Sequence, residues 1–139
     1  MVPIQLPDLL LIEGLHGNPE SFFPKFFSVA HRFREQRGPD FPIIIAHAFF
    51  GSITPKNLEL YIFQLEKLGI IIELNVSYRN FLYETTIFEY LAQASELRFS
   101  IGSDAHSGDS LGQVQAAWFF LERYDIPFRF FLAKEFGIT

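Results

Sequence analysis

The sequence has 139 residues, a formal net charge of −5 and no cysteine. This length corresponds to one domain, residues 1–139, and falls short of the roughly 250 residues of an ordinary eight-unit α/β barrel. The acidic balance disfavours nucleic acid as a partner, and the lack of cysteine excludes disulfides and thiolate metal ligands. Apolar windows are far shorter than the roughly 18 residues of a membrane span, and residues 1–5 lack a signal-peptide pattern, so we expect a cytoplasmic protein without membrane contact.

An apolar run, a polar turn and an amphipathic stretch recur along the chain, which is the rhythm of βα units around a parallel sheet. The apolar runs predicted as strands are residues 8–15, 41–46, 70–74 and 98–102, with a last short run at residues 128–132. The stretches predicted as helices are approximately residues 20–37, 55–68, 86–94 and 111–121. Four or five βα units are therefore expected, about half of a barrel.

Local sequence signals set the predicted helix boundaries. Thr54-Pro55 supplies an N-cap and a proline at the first helical position, and Gly69 supplies a stop. Pro24 falls in the first turns of the first helix, where it is tolerated or moves the helix start. Asp109 or Ser110 is the predicted cap of the last helix.

Three of the four histidines occupy equivalent positions, at or just beyond the C-terminal end of a predicted strand. They are His16, His47 and His106, whereas His31 falls within a helix. In α/β barrels this end of the sheet holds the active site, because the βα loops converge there. A single histidine so placed is more often a core or loop residue, but three in equivalent positions indicate a site.

The most specific local signal is Gly-Ser-Asp-Ala-His at residues 102–106. In an extended segment alternate side chains share a face, so Asp104 and His106 are expected to point the same way at the end of the strand. A carboxylate beside an imidazole suits zinc, manganese or iron better than calcium, which takes oxygen ligands. The competing interpretation is a turn with an aspartate N-cap and a surface histidine.

Ser-Asp-Ala-His at residues 103–106 resembles the last metal motif of the PHP (polymerase and histidinol phosphatase) domain family. Ile-Ile-Ile-Ala-His at residues 43–47 resembles the strand-end histidine that precedes that motif, and His16 lies one βα unit earlier, where the family has a further metal histidine. The resemblance covers nearly the whole chain and is closest to the stand-alone, phosphatase-like branch. It implies a partial (β/α) barrel of PHP type, with parallel strands alternating with helices and with the N-terminal βα units missing.

The resemblance also implies a set of metal ligands. His16 and His47 would bind one divalent ion, Asp104 a second and His106 a third, with zinc, manganese or iron as the ions. Asp104 and His106 would be the catalytic residues. The family site is normally completed by an N-terminal His-x-His motif, two further histidines and a bridging carboxylate, but no histidine precedes His16 here.

Other polar residues lie near the predicted site. Glu73 and Asn75 end the third strand, and the resemblance assigns them a role in orienting ligands rather than in binding metal; a glutamate bonded to the backbone is the alternative. Arg79, in the loop that follows, offers a fork of donors to a substrate phosphate, although a lone loop arginine is more often a solvated charge. No His-Asp pairing supports Ser52 or Ser107 as a nucleophile, which disfavours serine hydrolase chemistry.

The expected function is metal-dependent hydrolysis of a small phosphate monoester. Two alternatives stay open: a degenerate, non-catalytic PHP-like domain that acts as an interaction module, and a truncated part of a longer enzyme. A partial barrel with 18 phenylalanines leaves strand edges and apolar faces to cover. We therefore expect self-association, or a partner chain that supplies the N-terminal barrel units, and low activity of this chain alone.

Overall fold

The computed structural model describes residues 8–13, 18–46, 50, 53–75, 85–103, 107–110 and 114–139. The strands in this part of the chain are β1 (Leu10–Glu13), β2 (Ile43–Ala46), β3 (Ile71–Asn75) and β4 (Arg98–Gly102). The helices are α1 (Pro19–Arg37), α2 (Pro55–Lys67), α3 (Thr85–Gln93) and α4 (Gln115–Arg123). Two short 3₁₀ turns lie at Gly108–Ser110 and Pro127–Arg129.

The strands form one parallel sheet in the order β1-β2-β3-β4. Connections between parallel strands are almost always right-handed, so when spatial order follows chain order every connecting helix lies on the same face. This arrangement is compatible with part of a singly wound β/α fold and differs from a doubly wound fold, in which the strand order reverses. The mixed α/β class, with parallel strands alternating with helices, is thus confirmed.

Successive side chains of each strand point to opposite faces of the sheet. One set packs against the helices in the main core: Leu10, Ile12, Ile43, Ile45, Ile72, Leu74, Phe99 and Ile101. The other set is also buried but lies outside that core: Ile44, Ala46, Ile71, Asn75 and Ser100. Burial on both faces is typical of parallel sheets. The second face contains the buried polar side chains of the strands, Asn75 and Ser100, and we call it the inner face.

Phenylalanine dominates the core between the helices and the sheet. The Phe23 ring on α1 stacks on Phe50 and Tyr61, with ring centroids 5.4 and 4.9 Å apart. Phe88 on α3 stacks on Phe99 of β4 at 6.0 Å. Each such ring contributes about 1.5–3 kcal/mol when it is fully buried, so these contacts fix α1, α2 and α3 on the sheet.

The first helix begins one residue earlier than predicted. Asn18 is its N-cap, and the Asn18 side chain accepts a hydrogen bond from the Glu20 backbone N–H at 3.0 Å. Pro19 occupies the first helical position, where the lack of an N–H costs nothing. Pro24 is accommodated inside the helix.

The boundary signals of the second helix are confirmed. Thr54 is the N-cap of α2 and its side chain accepts from the Asn57 backbone N–H, with Pro55 as the first helical residue. Gly69 follows the helix with φ 64°, a conformation that favours glycine. Two local signals therefore suffice to define this element.

The last helix begins later than predicted. Residues Gly108–Ser110 form a separate 3₁₀ turn, and α4 starts at Gln115. Val114, with φ −113° and ψ 3°, occupies the N-cap position without a side-chain hydrogen bond. Neither Asp109 nor Ser110 is therefore the cap of α4.

The predicted strand at residues 128–132 is wrong. Pro127–Arg129 is a 3₁₀ turn, and only Phe130 forms a bridge, parallel to Phe99 of β4. The cause is Arg129, whose side chain is 5% exposed and donates to main-chain carbonyls at the end of α3 and the start of β4. These hydrogen bonds hold the segment against α3 and β4 while its backbone forms the 3₁₀ turn, and the chain contributes a single bridge beside β4.

Candidate functional site

The carboxyl ends of the four strands lie at one edge of the sheet, which we call the upper edge. Neighbouring strands are parallel, and the register pairs Glu13 with Ala46 and Asn75 with Gly102. These four residues are the last residues of their strands. In α/β barrels this is the edge at which catalytic side chains gather.

Five of the predicted site residues lie outside the described residues: His16, His47, Arg79, Asp104 and His106. Their convergence on one pocket therefore stays a prediction. Each of these residues follows the end of a strand within a few positions in the sequence, and each of those strands ends at the upper edge. In the described part of the chain, no three metal-binding side chains form a group that could hold an ion.

Glu73 and Asn75 are the two predicted site residues that the structure describes. Both belong to the inner face of β3, where Asn75 is fully buried and Glu73 is half-buried. The Asn75 Nδ2 donates a hydrogen bond to Glu73 Oε2 at 3.2 Å. This bond fixes the orientation of the carboxylate, and it requires both residues to lie on one face of the strand.

Gly102 on β4 makes room for the Glu73 side chain. A Cβ atom at Gly102 would lie 2.1 Å from Glu73 Oε1 and 2.8 Å from Glu73 Cδ, far inside van der Waals contact. In the register Gly102 is the partner of Asn75, whereas the partner of Glu73 is Ser100. The Glu73 side chain therefore leans along the strand, by about two residues or roughly 6–7 Å, and brings its carboxylate to the upper edge.

Sequence reasoning missed the role of Gly102 and Ser100. Ser100 is buried beside Glu73, and the two small residues alternate along β4 as Glu73 and Asn75 alternate along β3. A signal for this arrangement was present, because small residues at alternate positions of a strand leave space for larger side chains on the neighbouring strand. Using that signal requires the strand order, which the chain order alone does not give.

A separate polar group ties α1 to α2 where these helices begin, next to the upper edge. The Glu20 carboxylate accepts hydrogen bonds from Asn57 Nδ2 at 2.9 Å and from the Tyr61 hydroxyl at 2.7 Å. The bond from Asn57, followed by that from Tyr61, lowers the pKa of Glu20 below its ordinary value. Burial, together with the bond to Glu20, raises the pKa of Tyr61. All three groups serve packing of the two helices.

The opposite edge, where the strands begin, is the lower edge, and Arg34 links three main-chain segments there. Arg34 Nε donates to the Leu68 carbonyl at 2.8 Å, one Nη donates to the Gly69 carbonyl at 3.1 Å, and the other donates to the Phe41 carbonyl. These bonds join the end of α1 to the chain that enters β2 and β3. Burial lowers the pKa of the Arg34 guanidinium.

Arg129 likewise links main-chain segments, at the side of the lower edge where α3 ends and β4 begins. Its guanidinium donates to the carbonyls of Leu97 at 2.7 Å, Ala92 at 2.7 Å and Leu91 at 3.0 Å, and also to that of Ala94. The last carbonyls of a helix have no partner within the helix, and Arg129 supplies one for α3. Both arginines are therefore structural, and their donors are directed away from the upper edge.

Comparison with models of known protein families and with curated proteins found no match for this chain. Within the described part of the chain, no helix has the length and apolar character needed to cross a membrane. The structure itself shows a parallel α/β sheet, and the functional interpretation rests on the arrangement of the upper edge.

Proposed function

We propose that this chain is the C-terminal part of a PHP-type, metal-dependent phosphoesterase that hydrolyses phosphate monoesters, in a partial (β/α) barrel. The observation that carries this proposal is the Glu73 carboxylate, which Asn75 orients and Gly102 accommodates at the upper edge. In α/β barrels the active site lies at the carboxyl ends of the strands, so a half-buried acid at this edge supports the proposal.

The proposed ligands follow these same strand ends in the sequence. His16 comes after β1, His47 comes directly after β2, and Asp104 and His106 come after β4. Imidazole nitrogens and a carboxylate suit zinc, manganese or iron, which agrees with the resemblance of these residues to PHP motifs. When bound, such ions lower the pKa of a water molecule and offset charge on the phosphoryl oxygens.

The remaining residues have supporting roles in this proposal. Glu73 and Asn75 hold hydrogen-bonding groups in fixed positions beside the ligands, where such partners set ligand orientation. Asp104 and His106 contact the reacting groups. Arg79 offers paired donors to the substrate phosphate, so the substrate class is a small phosphorylated molecule.

A second candidate function is a non-catalytic PHP-like domain that binds another protein. The observation that favours it is the set of large apolar side chains exposed on the described surface, among them Phe63, Phe119 and Phe136. Under this proposal the partner is a second copy, or a chain that supplies the N-terminal units of the barrel. The two functions are separable, because a catalytic domain loses metal and activity on substitution of its ligands, whereas a binding module keeps its partner.

The test compares metal retention and phosphatase activity in four proteins: the parent, His47→Ala, Asp104→Ala and the matched control Asp40→Ala. Zinc and manganese are measured after dialysis, and hydrolysis of an artificial phosphomonoester is measured with each metal added. Partial metal occupancy is expected in the parent, because His16 and His47 give one ion two protein ligands and a catalytic zinc site normally has three. Metal content should fall in His47→Ala, which removes one of the two ligands of that ion, and any activity should fall about 10- to 100-fold in Asp104→Ala, whereas both should stay unchanged in Asp40→Ala.

Asp40 suits this control because it is an exposed aspartate in the turn that leads to β2, away from the upper edge. Tight metal binding that survives both ligand substitutions would place the metal elsewhere and contradict the proposal. Hydrolysis that requires no metal would contradict it as well.

A further inference from the structure

The outer side of α2 presents a phenylalanine between two grooves. Phe63 is 59% exposed and Leu60, one turn earlier, is 49% exposed. A groove of about 360 Å³ runs between α1 and α2 on one side of Phe63, and a groove of about 220 Å³ runs between α2 and α3 on the other. Exposed apolar side chains of this size beside open grooves are typical of interaction surfaces.

The two grooves differ in charge. His31 and Lys67 line the groove on the α1 side, whereas Glu59 and Glu66 line the groove on the α3 side. Glu66 is held in place there, because its carboxylate accepts from the Glu96 backbone N–H at 2.8 Å. One face of the molecule thus carries a basic groove, an aromatic ridge and an acidic groove side by side.

Such a face is complementary to itself. In a two-fold dimer the same patch of both copies meets, so the patch must match its own image after a half-turn. A half-turn about an axis that runs along the aromatic ridge brings the basic groove of one copy onto the acidic groove of the other. The same half-turn sets the two Phe63 side chains against each other at the axis, and buried aromatic side chains of this kind are the usual anchors of interfaces.

We propose that this surface, formed by Leu60, Phe63 and the two grooves, joins two copies of this chain in a two-fold dimer. The interface is small, since the 13 residues of α2 span only about 20 Å. Dimerisation is therefore weak, with a dissociation constant in the micromolar range. The dimer leaves the upper edge of each copy open, because α2 packs on the sheet face that lies opposite the inner face, and its exposed side points away from the sheet. It does not depend on the proposed phosphoesterase activity.

The test is sedimentation or light scattering of the full chain from micromolar to hundreds of micromolar concentration. The parent should shift from monomer to dimer over this range, and Phe63→Ser should raise the dissociation constant at least about tenfold. Phe119→Ser is the matched control, because Phe119 is 58% exposed, lies on α4 and lines neither groove. Phe119→Ser should therefore dimerise like the parent, and far-UV circular dichroism checks that both variants are folded.

A charge exchange tests the orientation of the two copies. Lys67→Glu should weaken the dimer, and adding Glu66→Lys to the same chain should restore most of the lost affinity, because these two positions lie at the same height of α2 and meet across the axis with reversed signs. A parent that stays monomeric throughout the series overturns the proposal, as does an equal effect of the two phenylalanine variants. A double variant as weak as Lys67→Glu alone overturns the two-fold arrangement.

Discussion

The two edges of the sheet use charge in opposite ways. At the lower edge, Arg34 and Arg129 reach from one element to another and donate to main-chain carbonyls. At the upper edge, the polar pair is an acid and an amide, Glu73 and Asn75, beside a glycine at position 102. Cations at the lower edge bond to the protein's own backbone, whereas at the upper edge a carboxylate is oriented by a neighbouring side chain.

We infer from this difference that the lower edge contributes to stability, whereas the upper edge contains the groups of the proposed site. The carboxyl-terminal end of a helix carries unpaired carbonyls and a partial negative charge, which a buried guanidinium satisfies. Those hydrogen bonds direct both guanidinium groups at main-chain carbonyls of the chain itself. At the upper edge the charged group is instead a half-buried carboxylate, which an amide orients. Under the proposed function, the upper edge is the edge that binds the cation.

Removing the hydrogen bonds of Arg129 at the lower edge should have the largest effect on stability. We expect Arg129→Ala to lower the free energy of unfolding by about 3–5 kcal/mol, because several buried carbonyls lose a charged donor. The contact of the guanidinium with the Phe99 ring, 5.1 Å from the centroid, is lost as well. Urea unfolding measures the change.

Arg123→Ala is the control for this prediction. Arg123 is an exposed residue at the end of α4, and substitutions at such sites usually change stability by less than about 0.5 kcal/mol. Equal losses in the two variants would mean that the bonds of Arg129 contribute nothing special. Metal retained per folded molecule should be the same in both variants, since the lower edge does not form the proposed site.

Filling the space beside Glu73 at the upper edge should reduce metal affinity or activity more than the free energy of unfolding. In Gly102→Ala the new Cβ overlaps the end of the Glu73 side chain, which is flexible and can swing away. We expect a loss of stability of about 1 kcal/mol or less, but a 10- to 100-fold loss of metal affinity or activity, because the carboxylate no longer holds its orientation. Dialysis with metal analysis and urea unfolding, made on the same samples, separate the two effects.

Two further variants sharpen this prediction. Gly108→Ala is the matched control, since nothing lies within 4 Å of a Cβ at that position. The double substitution Glu73→Ala with Gly102→Ala should recover the stability lost in Gly102→Ala without recovering metal affinity. Full metal affinity in Gly102→Ala, with its stability reduced, would show that Glu73 supports packing only.

The sequence predicted the frame of the fold because the deciding signals are local. Thr54-Pro55 and Gly69 define α2, and short apolar runs, interrupted in β3 by Glu73, define the buried strands β2 and β3. The failure at residues 128–132 has the opposite cause. An apolar run with one arginine fits a strand locally, but the carbonyls that Arg129 satisfies lie more than 30 residues earlier in the chain.

The site was predictable only in part, for a related reason. Glu73 and Asn75 were predicted because both lie at the end of the third strand, where the resemblance assigns them a role in orienting ligands, and the structure adds the hydrogen bond between them. The need for Gly102 arises from a neighbouring strand and from the direction in which the Glu73 side chain leans. That direction depends on packing, which no spacing in the sequence specifies.

The smallest predicted effect concerns the hydrogen bonds of Glu20 to Asn57 and Tyr61, which join α1 to α2 beside the upper edge. This effect depends on pH. Hydrogen bonds from Asn57 and Tyr61 lower the pKa of Glu20 from its ordinary value of 4.5. The unfolded chain therefore takes up this proton at a higher pH than the folded protein, and the stabilising contribution is present above pH 4.5 and lost as the pH falls through the lowered pKa. We expect Glu20→Gln to reduce the urea midpoint slightly near neutral pH and to match the parent in strong acid.

Two comparisons decide whether these bonds are the cause. Tyr61→Phe removes one of the two donors, the hydroxyl 2.7 Å from the carboxylate, so its pH-dependent loss should be smaller than that of Glu20→Gln and of the same sign. Glu35→Gln, an exposed position on the same helix, should leave the midpoint nearly unchanged near neutral pH. If the difference between parent and Glu20→Gln grew as the pH fell, the sign would be reversed and the carboxylate would be destabilised by its surroundings. Since Glu20 joins α1 to α2 at their first turns, that result would also mean that this polar contact does not stabilise the packing of the two helices.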